Sequence, residues 1–103
     1  MASIVKLTAV FTPSEDVVAR EIEGEIIIVP LARGIGDAED DLFSLNETGR
    51  AFWRLLDGGR TLGDIVGVLA GRYDATPARI EKDVLGLARE LLKRRMIRET
   101  KRP

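Results

Sequence analysis

At Asn46 the hydrophobic pattern of the chain changes period, and that change limits the possible folds more than any other feature. Before it, "VVAREIEGEIIIVP" (Val17 to Pro30) reads as two short strands joined at Glu23-Gly24. The first half alternates imperfectly, with Val18, Arg20 and Ile22 set against Val17, Ala19 and Glu21. The second, Ile26 to Val29, is β-branched throughout and suits burial on a sheet. Glycine accepts the positive φ of a tight turn between strands, and Pro30 ends the second one. "LARGIGDAED" is polar and glycine-containing and is expected to be a loop, with "DLFSL", Asp41 to Leu45, as a third strand.

After Asn46 the apolar residues recur at helical spacing. Asn46 is placed to cap a first helix, Glu47 suits the positive end of its dipole, and Phe52, Leu55 and Leu56 form one face with Trp53 beside it. Gly58-Gly59 is expected to stop this helix. Thr61 followed by Asp64 is a capping-box variant opening a second helix, whose face is Leu62, Ile65, Val66 and Leu69, with Tyr73 as its candidate extension. Thr76-Pro77 opens a third, since proline's missing N–H costs nothing in a first turn. That helix carries Ile80, Val84, Leu87 and Leu91 on one side, widened by Leu85, Ala88 and Leu92. A stripe this broad predicts two neighbours, and Met96-Ile97 is expected to close the core beyond it. The order defines an α+β, winged-helix-like fold, a three-stranded antiparallel sheet followed by three helices. The expected organisation is an extension over residues 1–16, one domain over 17–98, and a basic tail over 99–103.

Composition removes most catalytic chemistry. The 103 residues contain no cysteine and no histidine. Thiol nucleophiles, disulfides, thiolate or imidazole metal sites and Ser-His-Asp catalysis are therefore excluded. With 45% hydrophobic and 32% charged residues the chain reads as globular. No run approaches a membrane span and the N-terminus has no signal-peptide pattern, so a cytoplasmic protein is expected. Gly34-Ile35-Gly36 lacks the lysine, spacing and following helix of a phosphate loop. Asp37, Glu39, Asp40 and Asp41 lack the spacing of a calcium loop and read as a solvated turn. Phe52-Trp53 reads as core more than as a ligand platform.

Charge is unevenly spread although the net value is −1. Between Glu15 and Glu47 ten acids face only Arg20 and Arg33, whereas from Arg89 onward seven bases face Glu90 and Glu99. The basic end, Lys93 to Arg102, supports a competing reading as a winged-helix nucleic-acid binder. The net charge and the acidic strand region weigh against it. The stronger candidate is the edge of the sheet. "DDLFSL" is expected to be an edge strand, blunted only in part by Asp40 and Asp41. If the broad face of the third helix lies beside it, the pair makes a groove with a hydrogen-bonding wall and an apolar wall, suited to strand addition by an extended peptide. The plainer alternative is a helix packed on the sheet with no groove between.

Three stretches together carry a resemblance: "REIEGEIII", "SLNETGRAFWRLLDGGRT" and "IEKDVLGLAREL". Their order and spacing resemble the PqqD family of pyrroloquinoline-quinone biosynthesis, from about Val17 to about Ile97. The resemblance implies a winged-helix-like peptide chaperone, the recognition element for ribosomally made, post-translationally modified peptides. It implies no catalytic residue, no metal and no cofactor. It also implies a leader peptide bound between the third strand and the third helix and presented to a radical S-adenosylmethionine enzyme, with no nucleic-acid or membrane partner. Carried onto this chain, the peptide-binding residues are Asp40, Asp41, Leu42, Phe43, Ser44 and Leu45 on the strand, and Ile80, Asp83, Val84, Leu87 and Leu91 on the helix. The acidic "GIGDAEDD" loop and the residues before Val17 depart from the family pattern. The precursor can therefore belong to the quinone pathway or to another modified peptide, and the chain can be a monomer or a strand-exchanged dimer.

Overall fold

A computed structural model describes residues 5–31 and 43–100. Strands β2 (Val17–Ile22) and β3 (Glu25–Pro30) form an antiparallel hairpin, with Ile22 opposite Glu25. The two loop residues Glu23 and Gly24 both have positive φ, 51° and 83°, the twist that matches a two-residue hairpin. Strand β4 (Phe43–Leu45) adds antiparallel to the other side of β3, giving the order β2-β3-β4. Ile26 and Ile28 of β3 turn into the core, and Leu45 of β4 joins them opposite Ile26. The residues expected as the early part of the third strand, Asp41 and Leu42, lie outside the described residues.

Three helices follow: α1 (Glu47–Arg54), α2 (Leu62–Arg72) and α3 (Pro77–Lys93). Each opens on the cap its sequence offers. Asn46 Oδ1 accepts from the Gly49 N–H at 3.0 Å. Thr61 and Asp64 exchange two bonds of 3.0 Å in a complete capping box. Thr76 Oγ1 accepts from the Arg79 N–H at 3.2 Å, with Pro77 in the first turn. Each side-chain oxygen satisfies an amide that has no partner within its helix.

Helix α1 ends earlier than the double glycine suggests. Its last turn tightens at Leu55 and Leu56, whose amides reach back three residues to Phe52 and Trp53. The glycines lie beyond, in a turn organised by Asp57. The Asp57 carboxylate accepts from the amides of Gly59 (2.9 Å) and Arg60 (3.1 Å), and the Arg60 guanidinium stands 3.2 Å from its other oxygen. The Gly59 amide foremost, then the amide and charge of Arg60, holds this carboxyl below the ordinary aspartate range. A lowered folded-state pKa stabilises the turn above the ordinary value and loses that contribution as pH falls through the lowered one. In a carboxyl NMR titration Asp57 is expected to have a midpoint below that of an aspartate in an unstructured peptide; an equal midpoint overturns this account.

The largest departure from the sequence reading concerns the two ends of the chain. Residues 1–16 were expected to lie outside the domain as an extension and residues 99–103 as a tail. Instead β1 (Val10–Pro13) pairs antiparallel with β5 (Ile97–Thr100), joining the two ends in a second sheet. Val10, Phe11 and Ile97 are buried. The carbonyls of Leu7 and Ala9 accept from Gly63 and Leu62, two first-turn amides of α2, and Phe11 O accepts from the Gly58 N–H. The N-terminal segment thus satisfies backbone donors that the helices leave open.

The chain reaches β5 through a helix end with no glycine. Arg95 takes φ 61°, its N–H bonds to Leu92 O, and the Met96 N–H bonds to Leu91 O. This is a Schellman ending with arginine at the left-handed position. Met96 is fully buried there. Helix α3 packs on α2 and on β5, the two neighbours its broad stripe required.

Candidate functional site

Among the described residues β4 pairs with β3 alone, so alternate N–H and C=O groups of its other edge point outward. That edge faces α3 across a groove of about 520 Å³. The strand wall is Phe43 and Ser44, and the helix wall is Asp83 and Leu87. The floor is apolar, where the buried side chains of Leu45, Phe52 and Val84 come to the surface. Asn46, Thr48 and Gly49 close one end. A Cβ on Gly49 would stand 3.1 Å from Leu45 Cβ and Cδ2, so a larger residue there would push Leu45 aside by a few tenths of an ångström, and glycine lets the first turn of α1 sit close to the strand.

A side chain from the end of α3 packs on the strand at Phe43. The Arg94 guanidinium lies over the Phe43 ring, 4.9 Å from its centre, and its Nε donates to Glu90 Oε1 at 2.8 Å. Such a stack holds the ring against the helix and is worth about 0.5–1 kcal/mol where water has access. On the strand side, Ser44 Oγ donates to Glu25 Oε2 at 2.9 Å. Because Arg94 stands by Phe43 while Asp83 lies by the Asn46 end, α3 runs antiparallel to β4.

A second hollow, of about 890 Å³, lies beside the first. Thr48 and Asp83 border both. Its remaining walls are the turn Tyr73 to Thr76 and the α3 residues Arg79 and Ile80.

Of the residues expected to bind peptide, Phe43, Ser44, Leu45, Asp83, Val84 and Leu87 come together around the first hollow, and Ile80 borders the second. Asp40, Asp41 and Leu42 lie outside the described residues. Leu91 does not reach the cleft. It is 0% exposed in the core, because β5 and Met96 cover that end of the helical stripe. Glu25, Asn46, Thr48, Gly49 and Phe52 line the groove without having been singled out as binding residues. Their sequence signals were structural: a cap for Asn46 and core periodicity for Phe52. Within the basic C-terminal stretch, Arg94 is engaged by Glu90 and Phe43, and Arg98 faces Glu15 at 3.4 Å. Among the described residues no three His, Cys, Asp or Glu side chains gather to hold a metal ion, and no helix is long and apolar enough to cross a membrane.

Fold and site together define a small winged-helix-like α+β module with an open strand edge set against a helix. Residues 25–97 match the family described as coenzyme PQQ synthesis protein D (PqqD), and the chain belongs to that family. Comparison with curated proteins gave no match. Among solved structures the fold is similar to a chain described as "TbiB1 in Complex with the TbiA(beta) Leader Peptide", with a TM-score of 0.69 and 23% identity. The alignment covers 84% of this chain and 93% of that one.

Proposed function

We propose that this protein is a non-catalytic peptide chaperone. It binds the leader region of a ribosomally made precursor by strand addition along β4, with α3 as the second wall, and delivers it to a modifying enzyme of the radical S-adenosylmethionine type in the cytoplasm. The observation that carries this reading is the outer edge of β4, unpaired among the described residues and facing an apolar-floored groove. Family membership and the leader peptide held by the similar TbiB1 chain support it.

Energetics divide the work between backbone and side chains. β4 spans three residues, and each main-chain bond it offers is worth only about 0.5–1.5 kcal/mol net. Strand addition therefore fixes direction and register, while Phe43, Leu87 and the Phe52 floor provide most of the affinity through apolar burial. An antiparallel guest continues the β2-β3-β4 pattern and has the better hydrogen-bond geometry.

Peptides selected from a displayed random library against the whole chain, then titrated into isotope-labelled protein, test the reading. Amide shifts are expected to cluster at residues 43–45 and 83–94. Ser44→Pro is expected to weaken the selected peptides about tenfold with the helical circular dichroism retained, since Ser44 stands opposite Ile27 in a non-hydrogen-bonded pair, its N–H faces the free edge, and proline is tolerated on an edge strand where that N–H faces away from the sheet. Shifts concentrated elsewhere, or a Ser44→Pro variant of unchanged affinity, overturn it.

A further inference from the structure

We infer that the cleft selects a basic side chain at one fixed position of its guest, read by Asp83, and that the guest continues past this point into the second hollow. The inference rests on the peptide-binding reading above and specifies the chemistry of the peptide. Three observations carry it. The two hollows adjoin, with Thr48 and Asp83 in the lining of both. The charged residues lining them are Glu25, Asp74 and Asp83 against Arg79 alone, three acids to one base and so a net −2. Finally, the groups differ in what they still need. Glu25 already accepts from Ser44, and Arg94, the base that lies over Phe43, is engaged by Glu90 and that ring. Among the described residues Asp83 has neither an ion pair nor a side-chain hydrogen bond, and it stands exposed between the hollows.

A guest passing Asp83 takes water from the carboxylate. An apolar residue there would leave an ionised group covered and unpaired, which is costly, whereas lysine or arginine compensates it. Selection thus comes from rejection as much as from attraction. Of the two acids lining the first hollow, Glu25 has its partner, so the demand for charge there falls on Asp83.

The spacing follows from the geometry. Asp83 and Leu87 are one helical turn apart, about 6 Å along α3, close to the rise of two residues, about 7 Å, in an extended strand. β4 runs antiparallel to α3, so a guest antiparallel to β4 runs in the direction of α3. It meets Asp83 first and Leu87 second, on one face. The favoured motif is therefore a lysine or arginine, any residue, then a large apolar residue. The residues before the basic one enter the second hollow beside Tyr73 and Arg79.

The displayed random library, selected in parallel against the native chain and Asp83→Lys, tests this. The native chain is expected to enrich basic-x-apolar peptides, and Asp83→Lys to enrich an acid at the basic position. Native-selected peptides are expected to bind Asp83→Lys at least about tenfold more weakly by calorimetry. Glu81→Lys, the same charge change on a residue that lines neither hollow, should leave their Kd within about twofold. Binders that shift Phe43–Leu45 amides but show no fixed basic position, or that lose equal affinity in both lysine variants, overturn this inference and leave strand addition standing. Binders that shift amides away from β4 overturn both.

Discussion

Phe11→Ala is expected to lower the free energy of unfolding by about 3–5 kcal/mol, the usual range for removing a fully buried aromatic ring from a core. Phe11 is 1% exposed and belongs to the main hydrophobic cluster, although it sits only eleven residues from the N-terminus. The cost combines lost transfer free energy with a cavity that β1 cannot close, because its backbone is tied on two sides. β1 pairs with β5, and the Phe11 carbonyl holds the Gly58 amide at 3.2 Å. A domain of this size has about 5–15 kcal/mol in total, so the variant should be marginal, and Phe11→Leu gives a milder member of the series. Denaturant unfolding followed by Trp53 fluorescence measures both. A loss below about 1 kcal/mol for Phe11→Ala would show the first strand to be peripheral. Thr8→Ala, exposed in the same segment, should change stability by no more than about 0.5 kcal/mol.

What could be read in advance, and what could not, follows from the range of the interactions. Asn46, Thr61 with Asp64, and Thr76-Pro77 act within one helical turn, so their sequence spacing is their geometry. Glu23-Gly24 likewise defines its own turn. Strands β1 and β5 carry no such local signal. Each is four residues long, and the partners Val10 and Thr100 lie at opposite ends of the chain. The end of α3 is hidden because arginine occupies the left-handed position where glycine would mark a Schellman motif. The site was legible to the same degree. Strand and helix could be paired as walls, but dividing the α3 stripe between groove and core required knowing where β5 and α2 pack. Leu87 therefore faces the groove while Leu91, one turn later, is sealed beneath Met96 and Ile97. The second hollow had no sequence signal, since Thr48 and Tyr73 meet only through the packing of α1 beside the α2–α3 turn.

Leu87→Asp should abolish most peptide affinity while sparing the fold, and this separates groove from core on a single helix. Leu87 is half-buried and forms the apolar part of the helix wall, whereas Val84, Ala88 and Leu91 carry the packing of α3. Without guest, a carboxylate at 87 points into water, and the expected stability loss is about 1–2 kcal/mol. With guest, that carboxylate would be covered beside an apolar residue and would lie one turn from Asp83, so both desolvation and like charge oppose binding. Losing a central apolar anchor typically costs 2 kcal/mol or more, and the added charge brings the expected weakening to at least about a hundredfold. Gly86→Asp is the matched control. Position 86 is exposed, and a Cβ there meets nothing within 4 Å. The same charge one residue away should leave the Kd within about threefold. Calorimetry with library-selected peptides, alongside a melting curve for each variant, checks the pair. If Leu87→Asp keeps native affinity, the helix wall takes no part in binding, and if Gly86→Asp weakens binding as strongly, the effect is one of overall charge and the groove loses its specificity.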